Sequence, residues 1–246
     1  MSLSVIIIAK NEAHAIGKCL ESVSWADEIV VVDSGSTDGT VEICENQGAK
    51  VVMTDWPGFG PQKNRALDLA TSDWVLSLDA DEYVSEELAR EIRDAVSASG
   101  AVAYSIPRSS SYCGKYMRHS GWWPDRVTRL FRRGRARFSD DLVHERLIVE
   151  GHTGKLSNPL MHEAFTDLSE VLQKMDSYSS AGAVRMAGKG KQSSLGAAVL
   201  KGMWAFFRTY ILQAGFLDGR EGFMLAVSNA EGTYYRYLKL MLMNQK

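Results

Sequence analysis

Residues 76–82 read Leu76-Ser77-Leu78-Asp79-Ala80-Asp81-Glu82, an apolar run that ends in three carboxylates, two of them spaced i, i+2. Residues 74–78 have the length and composition of a buried strand. Asp79 therefore falls at its carboxyl end, the edge at which open α/β sheets hold their ligands. There Asp79 and Asp81 can meet one hard cation, because carboxylates suit Mg²⁺ and Mn²⁺ and such ions usually bridge to substrate phosphates. Two acids in a turn fit a plain solvated loop equally well, so the neighbouring segments decide between the readings.

Upstream, the first hundred residues alternate between two periods. Apolar runs at 4–9, 28–33 and 50–54 read as strands, and 74–79 is the fourth. Helical spacing lies between them, at 13–23, 40–47 and 61–70, with Gly48 as a helix stop. Ser85 is placed to cap a further helix whose first turn carries Glu86 and Glu87, which suits the positive end of a helix dipole. Strands alternating with short helices predict βαβ units and a mostly parallel central sheet flanked by helices. Beyond Gly100 the pattern loosens. Residues 102–106 and 127–132 read as strands around a Ser/Tyr/Gly-rich loop, and 168–187 return to helical spacing. The expected organisation is an α/β domain over 1–165 and a helical C-terminal extension over 166–246.

The net charge of −2 over 246 residues hides an asymmetry. Residues 1–100 hold 7 Lys/Arg against 18 Asp/Glu, residues 101–169 hold 11 against 7, and residues 170–246 hold 10 against 5. An acidic half suited to metal thus precedes basic segments suited to phosphate or an anionic surface. Six arginines, Arg126, Arg129, Arg132, Arg133, Arg135 and Arg137, make the densest basic run. They fit forked bonds to phosphates or a solvated basic edge. Nucleic-acid binding is disfavoured, since the rest of the domain is acidic and no known binding module is visible. Cys19, Cys44 and Cys113 show neither disulfide nor metal spacing, which fits a reducing compartment. The apolar start at 3–9 reads as a strand and not as a signal peptide, so a cytoplasmic location is expected.

Three of the strand ends carry polar groups: Asn11-Glu12 after the first, Asp33 at the end of the second and Asp79 at the end of the fourth. In one parallel sheet these converge on a single rim, as a nucleotide site at a switch point requires. The loop at 34–39 supplies glycines and backbone N–H groups without P-loop or dinucleotide-fingerprint spacing. Asp38 within it reads as a capping or turn residue.

Four segments in order, Ser-Val-Ile-Ile-Ile-Ala-Lys-Asn-Glu (4–12), Ile-Val-Val-Val-Asp-Ser-Gly-Ser-Thr-Asp-Gly-Thr (29–40), Gln-Lys-Asn-Arg-Ala-Leu (62–67) and Leu-Asp-Ala-Asp-Glu (78–82), resemble the motifs of family 2 glycosyltransferases with the GT-A fold. The resemblance spans roughly residues 3–150. It implies an inverting transferase that uses a nucleotide-diphosphate sugar and a divalent cation, Mg²⁺ or Mn²⁺. By it, Asn11, Glu12 and Asp33 line the base and ribose pocket with Lys63 nearby, Asp79 reaches the ribose or metal, and Asp81 is the principal metal ligand. His162 resembles the histidine that completes the metal or diphosphate site in this fold; His144 is a weaker counterpart, and a structural role stands beside both. Arg-Leu-Phe-Arg-Arg (129–133), Val-His-Glu (143–145), Met-His-Glu (161–163) and Gly-Phe-Leu-Asp-Gly (215–219) further resemble the lipopolysaccharide-core heptose β-1,4-glucosyltransferases. That implies glucose transfer from UDP-glucose to an inner-core heptose of a lipid-linked saccharide acceptor; the competing readings are a transferase of the same fold acting on a polyprenyl-phosphate or protein acceptor, and a sugar-nucleotide-binding protein without catalysis.

An inverting transfer needs one base to deprotonate the acceptor hydroxyl opposite the leaving group, and positive charge to meet the departing diphosphate. Glu145, Asp141 and Asp140 are the available carboxylates after the Arg-rich strand. Glu145 is favoured, with Asp141 next, and a salt bridge from Glu145 to Arg146 is the competing reading. Trp122-Trp123-Pro124 fits a sugar platform or a packed loop. Residues 195–216 are too often interrupted, by Lys201, Arg208 and Gln213, to read as a membrane span. They suit an amphipathic helix at the cytoplasmic face of an inner membrane, or a helix packed on the domain. The Gln-x-x-Arg-Trp signature of processive synthases is absent, which favours one sugar per acceptor.

Overall fold

The computed structural model describes residues 1–98, 100–139 and 146–245. The chain divides into two compact units. The first holds Met1–Arg108 and Asp125–His162; the second holds Ser109–Pro124 and Glu163–Lys246. The second unit thus takes in a segment that the sequence pattern places inside the first domain. Strands β6 (Ala103–Tyr112) and β12 (Leu160–Phe165) each cross the division.

Four apolar strands, the first three rich in Val and Ile, open the first unit: β1 (Leu3–Ala9), β2 (Glu28–Asp33), β3 (Lys50–Met53) and β4 (Trp74–Asp79). They pair in parallel in the spatial order β3-β2-β1-β4. Helices α1 (Ile16–Ser22), α2 (Thr40–Asn46) and α3 (Phe59–Leu69) make the crossovers. β2 and β3 lie on one side of β1, and β4 lies on the other. The winding therefore reverses between β1 and β4, and their carboxyl ends frame the crevice in which such sheets bind ligands. Beyond β4 the sheet turns antiparallel through β8 (Asp125–Arg132) and β6, and β12 pairs antiparallel with β5 (Glu82–Val84).

Both faces of the parallel part are covered, which explains the nearly continuous apolar runs. Val5, Ile7, Leu76 and Leu78 face a cluster with Ile16 and Leu20 of α1 and with Leu88 and Ile92 of α4 (Glu86–Ser97). Ile6, Val30, Val32 and Val75 face the opposite cluster, with Ala66 and Leu67 of α3. Ser85 caps α4 as expected, its hydroxyl accepting the Leu88 N–H at 3.2 Å. Gly48 ends α2 with φ +78, a conformation open to glycine at little cost.

The loop expected after residue 106 is largely strand, because β6 continues through Ser109–Ser111 to Tyr112. Those serines are buried and carry no apolar periodicity, so the pattern is silent there. Within the second unit, β7 (Lys115–Tyr116) pairs with the end of β6, and three long helices follow: α5 (Leu168–Gly188), α6 (Leu195–Phe207) and α7 (Gly219–Met243). α6 continues into a five-residue π-helical segment, Arg208–Leu212, and a 3₁₀ turn, Gly215–Asp218, leads into α7.

The Gly-Phe-Leu-Asp-Gly segment has a structural meaning here. A Cβ at Gly215 would lie 2.7 Å from the Thr209 carbonyl oxygen, and one at Gly222 would lie 1.9 Å from that of Gly215. Only glycine permits this backbone approach. Asp218, 2 % exposed, accepts the backbone N–H groups of Arg118 (3.1 Å) and His119 (3.0 Å), and the Ser120 hydroxyl (2.9 Å). One buried carboxylate thereby pins the loop after β7 to the helical stack.

Leu76 is fully buried, whereas Leu200 of α6 is 67 % exposed. Leu76→Ala should cost about 2–5 kcal/mol through lost contacts and a residual cavity. Leu200→Ala should stay within about 0.5 kcal/mol. Urea unfolding of both variants checks this, and equal losses would refute the assignment of the core.

Candidate functional site

At the end of β1, Asn11 adopts a left-handed conformation (φ 58) that turns its side chain back over the following loop. Its Oδ1 accepts the Thr37 N–H at 2.8 Å, and its own N–H donates to Ser36 Oγ at 2.8 Å. The Glu12 N–H donates to Thr40 Oγ1 at 2.8 Å. Two consecutive strand ends are thus locked together by side chains the sequence placed on one rim. Asp33, completely buried, closes its own turn: Oδ1 accepts the N–H groups of Gly35 and Ser36, each at 2.8 Å, and Oδ2 accepts the Ser36 hydroxyl. Asp38 is a turn residue, accepting the Thr40 N–H (3.0 Å) and the Ala13 N–H (3.2 Å), while Gly39 takes the N-cap position of α2.

The end of β4 carries the densest charge. Asp79 Oδ1 pairs with Lys63 Nζ at 2.9 Å, and Oδ2 pairs with Arg129 Nη2. Arg129 is buried and also reaches Glu82 Oε1 at 2.7 Å; Glu82 is fully buried and accepts the Asp79 N–H at 3.0 Å. Arg108 approaches Glu82 at 3.5 Å and binds Asp125 with two nitrogens, at 3.0 and 2.6 Å. Burial works to raise the Asp79 pKa. The Arg129 guanidinium and Lys63 ammonium outweigh it and hold the carboxyl well below the usual carboxylate range. Burial likewise opposes charge on Arg129, but Asp79 and then Glu82 hold its pKa above the ordinary value.

Asp79 lies on the rim where the sequence places it, and each of its oxygens also meets a cation, Lys63 or Arg129. Asp81 instead meets His162: its Oδ2 lies 3.3 Å from His162 Nε2, with both side chains partly accessible. Among the described residues, no three His, Cys, Asp or Glu side chains converge in a metal-binding group. Asp81 and His162 are the pair of potential ligands that the structure brings together, and ions such as Mg²⁺ and Mn²⁺ usually keep several waters or substrate oxygens beside one or two protein ligands. Residues 140–145 lie outside the described residues, and with them Asp140, Asp141, His144 and Glu145.

Sequence reasoning missed Arg129 and Glu82 as the partners of Asp79. The available signal was period-two alternation in 126–132, which puts Arg129 alone on the face opposite Arg126, Thr128, Leu130 and Arg132. Four of the other five arginines of that run have structural partners: Arg126 donates to the Ser105 and Leu156 carbonyls, Arg132 lies over the Trp74 ring, Arg133 donates to the Ser72 carbonyl, and Arg137 pairs with Asp68. Cys19 and Cys44 are core residues. Burial first, then Glu82, Asp81 and Asp79, push the Cys19 thiol well up, and burial lifts Cys44 to about 11.

Arg129→Met would leave the fully buried Glu82, and with it the half-buried Asp79, short of positive charge and should cost about 3–5 kcal/mol at pH 7, chiefly through Glu82. The native Asp79 pKa lies below its unfolded value of about 3.9, so its ion pairing stabilises fully above that pH. That stability is lost as pH falls through the depressed native value. The deficit of the variant should therefore shrink in acid, as measured by denaturant unfolding at pH 7 and below pH 4. A deficit under about 1 kcal/mol at pH 7, the size of a surface pair, would remove the cluster from this role.

The glycosyl transferase family 2 model matches residues 4–148. An uncharacterized glycosyltransferase of Rickettsia felis is 31% identical over 97% of this chain and 89% of its own length. The lipopolysaccharide core biosynthesis glycosyltransferase LpsC of Rhizobium meliloti is 30% identical over 94% of this chain and 88% of its own. Among solved structures, glucosyl-3-phosphoglycerate synthase from Mycobacterium tuberculosis, in complex with Mn²⁺, UDP and glucosyl-3-phosphoglycerate, aligns with 46% of this chain and 44% of its own. The identity there is 28% and the TM-score 0.37. The family model, covering the strand ends that build the rim, and relatives matched over nearly the whole chain place this protein in glycosyl transferase family 2, as a glycosyltransferase.

Proposed function

We propose that the protein is an inverting transferase that moves a hexose, glucose by the sequence resemblance, from a UDP-sugar to an inner-core heptose of a lipid-linked lipopolysaccharide precursor. The observation that carries this reading is the pairing of Asp81 with His162 at the carboxyl end of β4, beside an Asp79 already neutralised by Lys63 and Arg129. Asn11, Glu12 and Asp33 form the nucleoside side of the rim, where backbone N–H groups and carboxylates suit a base and ribose. Asp81 and His162 would hold Mg²⁺ or Mn²⁺, which supplies positive charge to the departing diphosphate.

Lys63 and Arg129 hold Asp79 ionised and fix the β4–β5 turn, so Asp81 is presented by a rigid support. Arg129 and Arg108 keep Glu82 compensated, which stops that buried carboxylate from competing for the same cations. Glu145 is the proposed base for the acceptor hydroxyl, with Asp141 the alternative. The acceptor assignment is supported by the name of the LpsC relative and by the motifs at 129–133, 161–163 and 215–219.

No described helix is long and apolar enough to cross a membrane. The proposed contact with the inner-membrane surface is through α6, where Leu200, Met203, Trp204 and Phe207 are exposed. Apolar groups beside basic ones suit the interfacial region of a bilayer.

Calorimetric titration with UDP should show binding that depends on Mn²⁺ or Mg²⁺ and is lost in Asp81→Ala. His162→Ala should weaken the metal dependence without abolishing nucleotide binding. Equal UDP affinity with and without metal in the native protein would overturn the metal assignment. Glu145→Gln should spare UDP binding and lower turnover by about 10²–10⁴-fold. The same loss in Asp141→Asn, with Glu145→Gln active, would transfer the role to Asp141.

A further inference from the structure

The second unit contains a cavity of about 260 Å³ among α5, α6 and α7, walled on one side by Trp122, Phe165 and Tyr178. Among the described residues no acidic side chain lines it, while Lys174, Arg208 and Arg236 do. Lys174 is already compensated by Glu170 at 2.7 Å and by the Ala164 carbonyl at 3.0 Å. The two arginines are not. Arg236 Nε is buried without a hydrogen-bond partner, and its stem lies where a side chain at Gly182 would otherwise be, 2.9 Å from that position. A buried N–H of a guanidinium left unpaired is costly and normally has an acceptor. Arg208 opens the π-helical segment after α6, an irregularity that recurs at functional sites.

Two further features say what the acceptor belongs to. Leu200, Met203, Trp204, Phe207 and Ile211 are all exposed, and their i, i+3, i+4, i+7, i+11 spacing puts them on one helical face that borders Arg208. Between Asp176 and Asp218 the sequence has no acidic residue but has Arg185, Lys189, Lys191, Lys201 and Arg208. An apolar face set in an acid-free basic segment is complementary to an anionic bilayer surface.

We infer that the cavity binds the phosphate of an anionic phospholipid, with Arg236 and Arg208 as its donors and the α6 face against the acyl region. The inference rests on the membrane reading above and adds to it a discrete headgroup site. The aromatic wall accommodates the apolar part of the headgroup, and forked guanidinium bonds fix the phosphate oxygens.

The test is vesicle co-sedimentation of the full chain on phosphatidylcholine and on phosphatidylglycerol-containing vesicles, paired with thermal unfolding in inorganic phosphate and in short-chain soluble phosphatidylglycerol. Arg208→Met should weaken binding to anionic vesicles about fivefold, and the pair with Arg236→Met about twentyfold, with little change on zwitterionic vesicles. Soluble phosphatidylglycerol should raise the unfolding temperature of the native protein and not that of the double variant. Trp204→Ser with Phe207→Ser should weaken binding to both kinds of vesicle, which reports the membrane reading alone. Native and double-variant proteins that bind anionic vesicles equally would overturn the headgroup site and leave the membrane reading intact. A protein stabilised by inorganic phosphate that ignores every vesicle would overturn the lipid source, the cavity then serving a soluble phosphate. A dimer that buries α6 and binds neither vesicle nor phosphate would overturn both.

Discussion

Four charges, three of them buried, organise the first unit: the half-buried Asp79 at the end of β4, Glu82 at the start of β5, and Lys63 and Arg129 that close on them from α3 and β8. Carboxylates placed in a sheet interior are tolerated only when each finds fixed positive charge and hydrogen bonds. That requirement ties a helix, an antiparallel strand and the β4–β5 turn to a single point. It also explains the division of labour along the turn. Asp79 is consumed by its ion pairs, and Asp81, two residues on, is presented with His162 at the accessible side. Under the proposed function such a support would serve a highly charged diphosphate, because charges already oriented need no reorganisation when the ligand arrives.

The strand ends on the other side of the switch point follow the same economy by different means. Asp33 satisfies its carboxylate with backbone N–H groups of its own turn, and Asn11 ties that turn to the end of β1. The loop at 34–39 is thereby held without an extended glycine-rich motif. Rigidity here comes from side-chain capping of backbone groups that the ends of strands leave unpaired.

In the second unit a buried carboxylate again does the fixing, but it captures backbone instead of arginine. Asp218 collects two N–H groups and a hydroxyl, while Gly215 and Gly222 let the chain pass within backbone contact. The helices so held keep a large apolar surface outside the core. An isolated protein in water has no reason to retain such a face, which is why its charge environment carries information about a partner surface.

The parallel strands, their crossovers, the capping role of Ser85, the turn role of Asp38 and the polar rim were legible because each depends on local periodicity or on short-range backbone chemistry. Family membership was legible for the same reason, since the motifs are strand ends and turns. Four features were not. The buried serines of β6 carry no hydrophobic period, so a strand looked like a loop. The Asp81–His162 contact was foreshadowed only by resemblance, and the Asp79–Arg129–Glu82 cluster was not foreseen, because its members lie 47 and 50 positions apart in the chain. The cavity with its two uncompensated arginines exists only once three helices pack. The sequence by itself determined which residues become strands and which polar groups reach the rim. The tertiary structure alone decided which of those charges are spent on one another and which remain to meet a ligand, because pairing depends on distances through space that no periodicity encodes.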